Sequence, residues 1–203
     1  MTKKPTKTFY YTIDKTATAE FKDRGSRFIA YAFPLDNVEA FKDQLAELKK
    51  VHPKAVHHCF AYRIGTEGNV FRVSDDGEPS GSAGRPILGQ IDSKELVNVG
   101  VIVVRYFGGS LLGVPGLINA YKTATSLALQ MVPTVQKQLE KHIELHFDYT
   151  QMNEVMMVLK QCNCTILQHE VQLFCLIKAG IPFIRFDEVV FRVKELRGVE
   201  LIY

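Results

Sequence analysis

The apolar residues of this chain fall into two regimes. Up to about residue 132 short alternating and continuous apolar runs are mixed with helical stripes, and beyond residue 139 alternation with one wet face takes over. Phe9 to Ile13 predicts a strand. Phe28 to Phe33 predicts another, with Arg27, Ile29, Tyr31 and Phe33 on one face and Phe28, Ala30 and Ala32 on the other, ended by Pro34. Val38, Phe41, Leu45 and Leu48 recur at three- and four-residue intervals, a helix opened by Asp36 or Asn37 as N-cap and closed before Pro53. A hairpin follows, His58 to Ile64 with Val70 to Val73 around the loop Gly65–Asn69. Ser82 to Ile91 reads as a short helix. Val97 to Arg105 is apolar without alternation, as a strand covered on both faces requires, and Pro115 to Met131 is a helix with proline in its first turn.

Pro133 to Gln138 reads as a linker. After it, Leu139 to Asp148 alternates as a strand, Thr150 caps a helix over 151–162, Thr165 to Glu170 and Val171 to Ala179 pair as strands, Pro182 to Leu196 is a helix, and Val199 to Tyr203 closes the chain as a strand. The order β-α-β-β-α-β is the ferredoxin-like arrangement. The reading is therefore α+β with two domains, 1–134 and 135–203.

Composition adds limits. A chain of 203 residues with 46% apolar and 23% charged residues is an ordinary globular sequence, and its apolar runs fall far short of the roughly 20 residues a membrane helix needs. No apolar segment follows the basic N-terminus, so the expectation is a cytoplasmic protein with no membrane partner. Residues 1–134 carry 17 Lys/Arg against 13 Asp/Glu, and residues 135–203 carry 8 against 9, a mild basic bias toward the first domain and not the concentrated basic face of a dedicated nucleic-acid binder. Cys59, Cys162, Cys164 and Cys175 have no framework spacing and read as reduced core thiols.

Candidate chemistry concentrates between residues 74 and 113. Ser74-Asp-Asp-Gly-Glu-Pro-Ser-Gly-Ser-Ala-Gly84 puts three carboxylates, Asp75, Asp76 and Glu78, within four positions. They can hold a cation, act as acids, or simply bond the turn's own N–H groups. Ser80 to Gly84, with Ser82 and Arg85, precedes a helix whose N-terminal amides can face an anion. Gly108-Gly109-Ser-Leu-Leu-Gly113 sits between the buried strand and the next helix, where loop amides bind phosphate. Arg105 adds a cation there, paired either with the acidic turn or with an external ligand. Tyr106 adds a stacking face, as does Phe107 unless it plugs the core. His57 and His58 are strand neighbours on opposite faces, so they cannot share an ion, and His58 is taken as the ligand-facing member. No H-E-x-x-H, Walker or G-x-G-x-x-G motif occurs, and no triad, metal site or cofactor is assigned.

Three ordered blocks carry a family resemblance. They are His52-Pro53 through His57-His58-Cys59 to Ala61-Tyr62-Arg63, then Ser74-Asp-Asp-Gly-Glu-Pro-Ser-Gly, then Ile102-Val103-x-Arg105-Tyr106-Phe107-Gly108-Gly109-x-x-Leu112-Gly113. Together they resemble the Impact/YigZ family over about residues 15–130, and the tail is similar to the small C-terminal domain of its bacterial branch. The resemblance implies a first domain of the ribosomal protein S5 domain 2 type, a sheet backed by two helices, as in elongation factor G and small-molecule kinases. Eukaryotic Impact proteins bind a ribosome-associated scaffold and restrain a stress kinase. The motif region here begins almost at once, so no preceding RWD domain is expected, and scaffold binding and kinase control are not carried over. Two expectations stand. The first is a non-catalytic binding protein linked to translation, engaging RNA, the ribosome or a protein partner. The second is an enzyme acting on a phosphorylated small molecule or nucleotide. Oligomeric state is not legible.

Overall fold

In the computed structural model, which describes residues 7–172 and 174–203, the chain divides into two compact units. One is Tyr10–Lys137; the other is Gln138–Tyr203 with the described residues up to Phe9.

The first unit is built on a five-stranded sheet of order β2-β3-β6-β4-β5, from Ala17–Asp23 (β2), Ser26–Pro34 (β3), Val99–Tyr106 (β6), His57–Ile64 (β4) and Val70–Ser74 (β5). Every neighbouring pair is antiparallel. The continuous apolar run is the central strand β6, buried from Val99 to Arg105. Alternation along it sets the layers. Val99, Val101 and Val103 pack with Ile87 and Ile91 of α2 (Gly84–Ser93) and Tyr121 and Ala124 of α3 (Gly113–Gln130). Ile102 and Val104 face the other way, onto Phe41 and Leu48 of α1 (Val38–Val51). The sheet is therefore covered on both faces, where the resemblance implied two helices behind it.

The second unit runs Glu140–Phe147 (β8), Met152–Gln161 (α4), Thr165–Val171 (β9), Cys175–Pro182 (β10), Phe186–Lys194 (α5) and Val199–Ile202 (β11). Its antiparallel sheet has the order β11-β8-β10-β9. Leu145 and Ile177 pack under Val155, Leu159, Val189 and Val193 of the two helices. Cys162 and Cys175 are buried in that core as free thiols.

Several local expectations need correction. Residues 135–138 are a strand (β7, Val135–Gln138) paired with β1 (Phe9–Thr12), not a linker; four residues are too few to show a period. β2 escaped the sequence reading because it is an edge strand that alternates with charged residues. Arg24 and Gly25, both at positive φ (44° and 80°), join β2 to β3 in a two-residue hairpin turn. The first turn of α4 is preceded by a cap from Asp148, whose Oδ1 accepts from the Thr150 N–H at 2.9 Å, not by a Thr150 cap. The expected strand 171–179 is interrupted by the turn between β9 and β10, and Leu173 lies outside the described residues. Among the described residues, no helix is long and apolar enough to cross a membrane.

Of the two candidate caps for α1 the structure uses Asn37, whose Oδ1 accepts from the Ala40 N–H at 2.9 Å. Asn37→Ala should lower stability by about 1 kcal/mol in urea unfolding, with an unchanged m-value.

Candidate functional site

The acidic turn between β5 and α2 folds inward onto its own backbone. Asp75 Oδ1 accepts from the N–H groups of Ala83 (3.0 Å) and Gly84 (2.8 Å), and its Oδ2 accepts from Gly81 (2.8 Å). The amides expected to receive an external anion thus already hold a carboxylate, and α2 begins at Gly84 for that reason. Burial pushes the Asp75 carboxyl up, but the three amides and the Arg85 charge outweigh it and hold it below its ordinary value. Asp76 Oδ2 accepts from the His58 backbone N–H at 2.6 Å, tying the turn to β4. Ser82 is buried and donates to the Pro79 carbonyl at 2.6 Å, whereas Ser80 and Arg85 are exposed.

Glu78 turns into the sheet. Its Oε1 accepts from Arg105 Nη1 at 2.6 Å and from the Tyr121 hydroxyl at 2.7 Å, with the Glu78 and Arg105 side chains only 4% and 6% exposed. The single Cys59 S–H is shared between the Asp75 carbonyl at 2.9 Å and the Tyr121 oxygen at 3.2 Å, and burial pushes the thiol far up, away from nucleophilic use. His57 Nε2 lies 3.8 Å from Glu78 Oε2, while its Nδ1 donates to the Asp76 carbonyl at 2.7 Å. The Arg105 guanidinium also lies over the rings of Phe28 (5.4 Å) and Phe107 (5.7 Å).

The second turn is held by backbone contact. A Cβ on Gly108 would sit 1.9 Å from the Gly25 carbonyl carbon, so only glycine fits, and the Gly108 N–H donates to Ser26 Oγ at 3.1 Å. Gly109 has φ +86° and open space around it. From Phe107 to Gly113 every residue except Leu112 is exposed, with Phe107 at 49% and Leu111 at 84%.

The sequence-predicted residues therefore separate. Asp75 and Ser82 bond within the acidic turn and Glu78 meets Arg105 at the end of β6, whereas Gly108 meets Gly25 and Ser26 and Gly109 stands in open space. Between an ion pair to the acidic turn and a free ligand-facing cation, the structure gives Arg105 the ion pair. His58 and Tyr106 lie on the opposite sheet face. The His58 ring is buried, and burial pushes its imidazole below the usual range. The Tyr106 hydroxyl bonds His52 Nδ1 at 2.8 Å, and Tyr31 bonds the other ring nitrogen at 2.7 Å. The members missed in the sequence are His57 and Tyr121. His57 is directly opposite Arg105 in the β4–β6 register, so strand parity, once the register is known, would have chosen it over its neighbour. Among the described residues, no group of three or more His, Cys, Asp or Glu is placed to hold a metal.

Fold and cluster define a two-domain α+β protein whose first unit carries all three motif blocks. The Impact N-terminal domain family matches residues 24–129, and the chain belongs to the IMPACT family. It is 35% identical over 165 residues to the IMPACT family member YigZ of Escherichia coli (strain K12), covering 80% of this chain and 81% of that protein. Similarity to Protein IMPACT of Rattus norvegicus is 37% over 101 residues, 47% of this chain and 31% of that one. A crystal structure of a hypothetical protein matches at 31% identity and TM-score 0.74, covering 97% of each chain.

Two outcomes follow from the cluster. Glu78→Ala leaves Arg105 charged and buried and should cost about 3–5 kcal/mol in denaturant unfolding. Asp75→Asn should cost about 1–3 kcal/mol at neutral pH. Because the Asp75 pKa is lowered in the folded state, its stabilisation is fully present above its ordinary value of 3.8 and is lost as pH falls through the lower folded value. The gap between wild type and Asp75→Asn in pH-dependent unfolding should therefore close below that value.

Proposed function

We propose that this chain is a non-catalytic binding protein linked to translation regulation, and that its first domain, taken as residues 1–134 and read as S5 domain 2-like, engages RNA. The second domain, 135–203, is read as ferredoxin-like. Membership of the family that includes Protein IMPACT supports the link to translation. The observation that carries the binding reading is the outward presentation of Phe107–Gly113. A half-exposed aromatic ring and open glycine backbone stand at the end of the central strand, and Arg24 of the neighbouring hairpin turn donates to the Leu111 carbonyl at 3.5 Å. The inward hydrogen bonding of Asp75 supports it further, because its carboxylate is held by the turn's own amides, while Glu78 and Arg105 cancel each other as a buried pair.

The rival reading, an enzyme acting on a phosphorylated small molecule, has less support, since Asp75 occupies the amides at the start of α2 and Glu78 neutralises Arg105. Arg105→Ala is for the same reason a poor probe of binding, as it would strip a buried ion pair.

Titration with structured RNA and with ribosomal subunits at low and moderate salt should show saturable, salt-sensitive binding. Phe107→Ala should weaken it about tenfold, in line with the loss of one stacking platform, while the loss of its contact with Arg105 costs no more than about 1 kcal/mol in unfolding. Absence of saturable RNA binding ends the RNA reading. Subunit binding that ignores salt and survives Phe107→Ala points instead to a protein partner. A melting-temperature rise with ATP, GTP or nucleoside phosphates would revive the enzyme.

A further inference from the structure

The helices α4 and α5 cover one face of the second unit's sheet and leave the other open. Ile143, Leu145 and Phe147 of β8 point into the core, so Glu144 and His146 point out; Ile177 and Ala179 of β10 point in, so Leu176 and Lys178 point out. Cross-strand register then fixes two rows on the open face. The first reads Glu170, Leu176, His146, Glu200, and the second reads Gln168, Lys178, Glu144, Ile202. Glu170 and Glu200 are exposed, Ile202 is 42% exposed, and Lys178 is 44% exposed at its side chain.

Charge is unevenly spread across these rows. Glu144 is answered by Lys178 at 3.4 Å and by His146. Glu170 and Glu200 stand at opposite ends of the first row, on the two edge strands; Glu170 accepts from Gln168 Nε2 at 2.5 Å, and among the described residues neither carboxylate is given a cation. Three strand spacings separate them, ~14 Å, with Leu176 and His146 between. A sheet of this topology that binds RNA does so by stacking bases on aromatic side chains of its central strands. The outward positions of β8 and β10 hold His, Glu, Leu, Lys, Gly and Pro and no Phe or Tyr, and the Glu170 and Glu200 carboxylates repel phosphate.

We propose that this open face docks an extended, lysine- or arginine-rich polypeptide segment lying across the strands. In an extended chain two cations about four residues apart point to the same side and span ~14 Å, matching the separation of Glu170 and Glu200. Apolar or aliphatic stems of such a segment lie on Leu176 and Ile202. The site is separate from the RNA surface proposed for the first domain and does not depend on it.

The test is fluorescence anisotropy of the full chain with a labelled extended peptide carrying lysine at every fourth position, beside the same peptide with glutamate at those positions. The lysine peptide should bind saturably at low salt and weaken as salt rises, while the glutamate peptide should not bind. Glu170→Lys with Glu200→Lys should weaken binding at least about tenfold, Glu170→Gln with Glu200→Gln should weaken it less, and Glu154→Lys with Glu195→Lys, a charge-matched pair of changes on the helical side, should leave it unchanged. The proposal is overturned by an absence of saturable binding, by equal binding of the reversed-charge double variant, or by displacement of the peptide by an RNA oligomer that itself depends on Glu170 and Glu200.

Discussion

One carboxylate organises the first unit. Glu78 reaches from the acidic turn to the end of the central strand, where Arg105 and the Tyr121 hydroxyl of α3 converge on the same oxygen, and Cys59 of β4 in turn donates to Tyr121. Four separate parts of the chain meet in that chain of bonds. A buried ion pair contributes little net stability compared with apolar side chains of the same volume, but breaking it is costly because the surviving charge stays desolvated. Its physical consequence is therefore positional. The turn cannot swing away from the sheet without exposing an unpaired charge, so the start of α2 and the tip of β6 are held in register.

Asp75 performs a related task one step earlier in the chain. Three backbone N–H groups at the entry to α2 would otherwise lack partners, and no side chain from the N-cap position supplies one. A carboxylate eight and nine residues upstream fills that place. The turn is acidic because the fold consumes its charges internally, and sequence alone cannot separate that use from metal or acid–base chemistry, since the same residue types at the same spacing serve all three.

How far the sequence was legible follows from which signals have a phase. α1, α3 and the alternating strands of the second unit were readable because each leaves one side wet, and the wet side marks the period. Strand β6, and β4 beside it, are covered on both faces, so their residues carry no such mark. That is why Arg105 could be singled out while its neighbour Tyr106 was grouped with it, and why His58 was preferred to His57. Only the pairing of His57 with Arg105 across the ladder resolves the choice, and pairing is long-range information. β2 and β7 escaped for different reasons, one charged at the edge and one too short. Gly108 was legible as special, but its reason is a backbone approach to Gly25 more than eighty residues away in sequence, which no local pattern encodes.

Layering constrains where either unit can meet a partner. In the first, α1 closes one sheet face and α2 with α3 close the other, so a macromolecule meets edges, loops and outer helix surfaces instead of a bare sheet face. Of these, Phe107–Gly113 is fixed at its base by the Gly25–Gly108 contact yet keeps an exposed ring and open glycines beyond it, which combines a rigid anchor with an accessible surface. The second unit has the opposite build. Its helices take one face only, and the other face carries mixed polar, charged and aliphatic side chains, with no Phe or Tyr on its two middle strands.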